Sequence, residues 1–243
     1  MDEKIKKLKE IIDCSNNIVF FGGAGVSTES GVPDFRSADG LYNRKFKYPP
    51  ETILSHDFFT SKTKEFFEFY KATMLSPSAM PNDAHYSLVE LEKQGKLKAV
   101  VTQNIDGLHQ KAGSRVVYEL HGTVHKNRCM RCGKFYGVDK ILSSDGIPLC
   151  DCGGIIKPEV VLYDEPLPDG VFLKAIRAME SCDTLIVAGT SLTVYPAADL
   201  LDFFNGDNLV LINRDATGRD DKADLVIHDK VGVVLSQAVG LKR

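Results

Sequence analysis

The 243-residue chain has no excess of positive charge: 30 Lys and Arg stand against 33 Asp and Glu, a net charge of −3, and no stretch forms a Lys/Arg block. A direct grip on a nucleic-acid backbone is therefore not expected. Long apolar runs are missing too, since 184–189 and 160–162 fall far short of the ~18 to 20 residues of a membrane span. The opening MDEKIKKLKEIIDC has neither the apolar stretch nor the small-residue cleavage site of a secretory signal. Ile5, Leu8, Ile11 and Ile12 recur there at helical spacing, so a surface helix on a cytoplasmic protein is expected. No internal repeat or low-complexity segment is visible.

What is present is the make-up of a folded protein, with 43% hydrophobic and 26% charged residues. The length allows one large domain with a smaller one attached or inserted. Short β-branched and aromatic runs at 17–21, 98–102, 116–120, 184–189, 208–213 and 223–227 read as strands, the last followed by a terminal helix. Helical patterns lie between most of them, as at 60–75 and at 81–95, where Pro81 and Asn82 give a start and Gly95 a stop. The alternation predicts an α/β fold, a Rossmann-like parallel sheet with helices on both faces. Residues 32–50, rich in Gly, Pro and polar side chains, read as a mobile loop over a site. Between about Gly122 and Pro158 the alternation breaks, which predicts a small inserted module: 122–158 within a large domain made of 1–121 and 159–243, with a helical insertion around 38–80 packing against it.

Four of the six cysteines fall in that module, as Cys129-x-x-Cys132 and Cys150-x-Cys152 separated by seventeen residues, while Cys14 and Cys182 stand alone. Two cysteine knuckles can bring four thiolates to the corners of a tetrahedron, which suits one structural Zn2+ and leaves no open position for catalysis. A buried set of thiols or a redox pair is the competing reading.

The chemistry must then lie elsewhere. The GGAGVST after the first strand offers close-set backbone N–H groups to a phosphate, yet it has Thr28 where the dehydrogenase fingerprint has its third glycine. By itself this loop does not separate a tight turn from a nucleotide site. Its weight rises because the carboxyl ends of five strands read GGAG, TQNID, ELHG, AGTS and INR, and ligands of parallel sheets bind at those ends.

The stretches GAGVSTESGVPDFRS (23–37), PNDAH (81–85), TQNIDGLHQKAG (102–113), ELHG (119–122), the cysteine pairs, KPEVVLYDE (157–165), GTSLTVYPAA (189–198) and LIN (211–213) resemble the sirtuins, NAD-dependent protein lysine deacylases, in family order. The resemblance implies that NAD, consumed as co-substrate, and an acetyl-lysine peptide meet between a Rossmann-like domain and a zinc module. It implies attack of the acyl oxygen on the nicotinamide ribose as nicotinamide leaves, and products deacetylated lysine, nicotinamide and O-acetyl-ADP-ribose. His121, a near-neutral base at a strand end, is the expected general base. Asn104 would order a ribose or water, and Asp106 would accept from the nicotinamide carboxamide, with an Asx turn capping the next helix as the plain alternative. Ile105 and Phe35 would wall the nicotinamide pocket.

Further NAD contacts carried over by the resemblance are Gly23, Ala24, Gly25, Thr28, Asp34, Arg36 and Gln103, with Gly189, Thr190, Ser191, Asn213, Arg214 and Val231 on the adenosine half. Val160, Val161, Leu162 and Tyr163 would pair with the peptide by strand addition. Two departures stand out. Asp164 occupies a position where the family commonly has Gly, which suggests altered preference around the acyl-lysine. Tyr70-x-x-Thr73 has Thr where succinyl- and malonyl-removing members carry Arg, so uncharged acyl groups are expected. His56, His85, His109, His125 and His228 are expected in packing, capping or solvent-facing roles. A monomer without membrane or nucleic-acid partners is expected. The rival readings are a hydride-transferring dehydrogenase and a non-catalytic zinc-containing NAD or ADP-ribose binding module.

Overall fold

The computed structural model describes residues 2–37 and 40–242. Met1 and Arg243, at the ends of the expected large domain, and Ala38 and Asp39, in the expected loop, lie outside the described residues. In chain order the elements are α1 (Glu3–Cys14), β1 (Ile18–Gly22), α2 (Pro50–Ile53), α3 (His56–Ser61), α4 (Thr63–Thr73), α5 (Asp83–Lys93), β2 (Leu97–Thr102), α6 (Leu108–Ala112), β3 (Val117–Glu119), β4 (Gly122–Cys129), β5 (Phe135–Tyr136), α7 (Val138–Ser143), β6 (Ile156–Val160), α8 (Asp169–Ser181), β7 (Thr184–Ala188), β8 (Asn208–Ile212), β9 (Leu225–Ile227) and α9 (Val231–Val239). All six expected strands are present. The expected start of α5 is a capping box in which Asn82 accepts from Ala84 and His85 reaches back to the Asn82 amide. Ala197–Phe203, between β7 and β8, is a 3-10 helix.

Six parallel strands form one sheet in the order β3-β2-β1-β7-β8-β9. The chain therefore runs outward from β1 in one direction, then returns to β7 and runs outward in the other. The switch lies between β1 and β7, where crossovers diverge and a crevice opens at the carboxyl ends. Side-chain alternation sends Ile18 and Phe20 of β1 into a core shared with α1, α5 and α9, and Val19 and Phe21 into a core shared with α8 and the 3-10 helix. Both faces are thus covered, which is why the strands read as unbroken apolar runs.

A second, antiparallel sheet, β5-β4-β6, carries the cysteine pairs. Its apolar side does not close on itself. Val124, Ile141, Ile156 and Val160 pack with Ile53, Phe58, Phe59, Phe66, Phe67 and Tyr70 of the α2–α4 helices in one buried cluster. Edge-on ring contacts such as Phe59–Phe66 at 5.0 Å and Phe66–Phe67 at 5.3 Å fill it. These two insertions, far apart in sequence, share a core, and the crevice lies where that core meets the parallel sheet.

Candidate active site

A cavity of about 480 Å³ sits at the switch between β1 and β7. Of the residues expected to touch NAD or peptide, Gly23, Ala24, Gly25, Asp34, Phe35, Arg36, Gln103, Asn104, Ile105, Asp106, His121, Val160, Val161, Leu162, Tyr163, Gly189, Thr190, Ser191, Asn213 and Arg214 line it. Thr28 and Val231 do not. The Thr28 hydroxyl turns back to the Gly25 carbonyl at 2.9 Å, and Val231 is buried in the core as the first residue of α9. That helix start is held by Glu29, whose carboxylate accepts the Gly232 amide at 2.7 Å.

The glycine loop differs from a phosphate cradle. The Gly23 amide donates to Ala188 and the Gly25 amide to Gly189, while those of Val26 and Ser27 donate to Gly23 and Ala24. A Cβ on Gly25 would meet the Gly189 Cα at 2.7 Å, and one on Gly189, whose φ is +61°, would collide with the Val26 nitrogen. The glycines let the ends of β1 and β7 touch. They contribute bare Cα surface to the cavity, and four of the amides read in the sequence as phosphate donors are already engaged.

The β2 end supplies a polar network. Asp106 accepts from the Leu108 amide at 2.9 Å and from the Ser27 hydroxyl at 2.7 Å, and Ser27 in turn accepts from the Asn104 side chain at 3.1 Å. Asp106 therefore serves the helix cap and the network together, with half its acceptor capacity left. Ser27, wholly buried, ties the two cavity residues. Sequence reading missed it, for a small hydroxyl inside a turn carries no pattern; its place between a glycine loop and an Asn-x-Asp pair becomes visible only in three dimensions.

His121 stands at the end of β3, and its Nδ1 donates to the Gln103 carbonyl at 3.0 Å. A carbonyl can only accept, so Nδ1 carries the proton and Nε2 is the basic nitrogen. Burial holds the imidazole below its ordinary pKa, with the Gln103 bond opposing in part. Gly122 follows in the left-handed region at φ +73°, where a Cβ would collide with the Glu159 carbonyl. Only glycine lets β4 start so close to β6. The other histidines behave as expected: His85 caps α5 and is pushed down to about 4 by burial despite nearby Asp106, and His109 is wholly buried and held neutral by burial and by His85. His56, His125 and His228 bond to Glu165, the Asp106 carbonyl and the Asn213 carbonyl.

At the far end of the cavity, Gln103 donates to the Thr190 hydroxyl at 3.0 Å and the Thr190 amide donates to Asn213 Oδ1 at 2.9 Å. Asn213 Nδ2 is buried with no partner among the described residues. An unmet buried donor in the cavity wall fits an acceptor such as a ribose hydroxyl. Arg214 and Asp34 pair with each other at 3.3 Å across the mouth.

Residues 160–165 run along the opposite wall as a strap. The Val161 amide donates to the His121 carbonyl, the Tyr163 amide to Leu54, and the His56 amide to the Tyr163 carbonyl. Glu165 accepts from the Leu162 amide at 3.0 Å, Lys157 at 3.0 Å and His56 at 2.9 Å. Most strap backbone groups are thus already engaged, which leaves less for strand addition than the sequence implied. Asp164 has φ +72°, a region that favours glycine, and this explains what glycine would do there. Thr73 and Met74 line the cavity, whereas Tyr70 is wholly buried in the aromatic cluster.

Away from the cavity, the sulfurs of Cys129, Cys132, Cys150 and Cys152 lie within 4.8 Å of one another, with the pairs 129–152 and 132–150 at 3.5 and 3.6 Å. Four sulfurs about 2.3 Å from a tetrahedral centre stand about 3.8 Å apart, so the donor set fits zinc with every position filled by sulfur. The Tyr136 hydroxyl donates to Cys150 Sγ at 2.9 Å, and Lys134 pairs with Asp151 at 2.7 Å, closing one knuckle on the other.

Among the described residues no helix is long and apolar enough to cross a membrane. The chain is 60% identical over 243 residues to an NAD-dependent protein deacetylase of Clostridium perfringens (98% of this chain, 100% of that protein) and 57% identical to one of Clostridium acetobutylicum (98% of each). Among solved structures, Sir2 with a deacetylated p53 peptide and 3'-O-acetyl-ADP-ribose superposes with a TM-score of 0.90 at 39% identity, covering 97% of each chain. A complex of Sir2 with p53 peptide and NAD+ gives 0.86 at 39%, covering 99% of this chain and 98% of that one. The sequence model of the Sir2 family matches residues 23–196, and with relatives this similar along the whole length the chain belongs to the Sir2 family.

Proposed function

We propose that the protein is an NAD-dependent protein lysine deacetylase that converts an acetyl-lysine peptide and NAD to deacetylated lysine, nicotinamide and O-acetyl-ADP-ribose. The observation that carries this reading is the convergence of His121, Asn104, Asp106 and the strap 160–163 on one cavity at the sheet's switch point. NAD would supply the electrophilic ribose carbon and the leaving nicotinamide. The chain's own groups do the rest. His121 Nε2, left unprotonated because Nδ1 carries the proton and burial keeps the ring neutral, takes a proton from a ribose hydroxyl. Asn104, held by Ser27, orders the ribose or a water, and Asp106 accepts from a carboxamide. Phe35 and Ile105 exclude water from the nicotinamide side, and Asn213 with Thr190 holds the adenosine half. The peptide lies along 160–163, its acetyl group reaching the wall of Leu54, Thr73 and Met74, which offers no cation to an acidic acyl chain.

The helices of the 50–73 stretch and the 122–158 module together form the second lobe, since they share one buried cluster. Cys129, Cys132, Cys150 and Cys152 would hold a zinc ion that ties that lobe together and, with all four positions filled by sulfur, would supply no chemistry to the cavity. The rival hydride-transfer reading lacks the dehydrogenase fingerprint, whose third glycine is Thr28 here. The test is product analysis. Acetyl-lysine peptide and NAD should give deacetylated peptide and O-acetyl-ADP-ribose in equal amounts, and His121→Ala should give neither. Formation of free acetate without O-acetyl-ADP-ribose, or of NADH, overturns the proposal.

A further inference from the structure

Two tyrosines far apart in sequence meet across the cavity mouth: the hydroxyls of Tyr42 and Tyr163 lie 2.6 Å apart. Each belongs to a different wall. Tyr163 sits on the strap proposed to carry the peptide, with its amide bonded to Leu54 and its carbonyl to the His56 amide, so its backbone is fixed. Tyr42 belongs to the opposite loop. Its amide donates to the Phe35 carbonyl, its ring meets the Phe35 ring edge-on at 5.5 Å, and the Arg36 guanidinium lies 5.3 Å from the ring centre. Tyr42 thus holds Phe35, proposed to wall the nicotinamide side, and Arg36, expected to contact NAD.

We propose that the Tyr42–Tyr163 hydroxyl pair couples the peptide subsite to the NAD subsite, so that each substrate strengthens binding of the other. This rests on the deacetylase reading. The physical argument turns on water. Tyr163 is 39% exposed, so in the free protein water competes for both hydroxyls and the bond adds little. A peptide laid along the strap covers Tyr163, removes that competition and strengthens the bond. The strengthened bond holds Tyr42, and through it Phe35 and Arg36, in the position that receives the dinucleotide. By reciprocity, a dinucleotide that fixes Phe35 and Arg36 holds Tyr42 against Tyr163 and favours the peptide by the same factor.

The coupling is measured by titrating ADP-ribose, which binds without reacting, by calorimetry with and without saturating acetyl-lysine peptide. Wild type should bind ADP-ribose about three- to tenfold tighter with peptide present, the range of one neutral hydrogen bond. Tyr163→Phe and Tyr42→Phe keep the rings and their packing, and each should reduce the factor to near one. The double variant should match either single one, because the second change removes nothing further. No coupling in wild type, or coupling that persists in both single variants, overturns the inference. Peptide-dependent nicotinamide release is run on the same preparations. Its absence in wild type sinks the deacetylase reading, while intact release with coupling untouched by the Phe variants sinks this inference alone.

Discussion

Glu165 gathers three donors from three segments: the Leu162 amide within the strap, Lys157 at 3.0 Å from β6, and His56 at 2.9 Å from the helical insertion. Its side chain is 18% exposed and that of Lys157 is 20%, so solvent screens the pair only in part. Hydrogen bonds to a charged group are worth about 1.5–3 kcal/mol each. Glu165→Gln keeps one acceptor for the Leu162 amide and leaves Lys157 without a carboxylate, a net cost of about 2 kcal/mol. For a chain of this size that lowers Tm by about 4–8 °C. The strap also loosens, so peptide KM should rise several-fold with a smaller change in kcat.

The pH dependence of that loss follows from the charge. Burial raises the Glu165 pKa, but the Leu162 amide, His56 and Lys157 outweigh it and hold the carboxyl below its ordinary value. A carboxylate held low in the folded chain adds its full stability above its unfolded pKa of ~4.3 and loses it as pH falls through the lower folded value. The melting difference between wild type and Glu165→Gln should be full at pH 7 and shrink below about pH 4. Equal melting temperatures at pH 7, or a difference that widens below about pH 4, would refute the reasoning.

Three further outcomes are expected. Because burial holds His121 below its ordinary pKa, the acid limb of kcat/KM should have its midpoint below 6.5, the reference histidine value; a midpoint above it contradicts the assignment of His121 as the base. Ser27→Ala removes a hydroxyl that serves Asn104 and Asp106 together, and kcat/KM should fall about ten- to thirtyfold. An unchanged value would place Ser27 outside the working network. Tyr136→Phe removes the donor to Cys150, and transfer of zinc to a chromogenic chelator should quicken about tenfold; an unaltered rate would show that this bond does not help hold the metal.

The strands were legible because β1, β2, β7 and β8 are buried on both faces, and a chain with that burial reads as an apolar run ending on polar residues. The cysteine pairs were legible because four sulfurs at that spacing serve few purposes. What could not be read were meetings between distant segments. Tyr42 and Tyr163 are 121 residues apart, and nothing local marks either as a partner. The glycines of 23–25 suggested a phosphate cradle, but whether their amides were free depended on Ala188 and Gly189 at the end of another strand. The sequence suggested that the helical insertion around 38–80 packs against the module, but not which side chains, Phe66, Phe67 and Ile156 among them, form the shared core. Asp164 is an intermediate case. Its departure from glycine was visible in the sequence, and its positive φ gives that departure a backbone meaning in addition to its charge.

The central claim is that NAD is cleaved only when an acetyl-lysine peptide fills the strap side of the cavity. Nicotinamide release from NAD, followed with and without acetyl-lysine peptide, tests it most directly. The account predicts release that requires the acetylated peptide and is absent with its unacetylated form. Release at the same rate without peptide, or none under either condition, would contradict it.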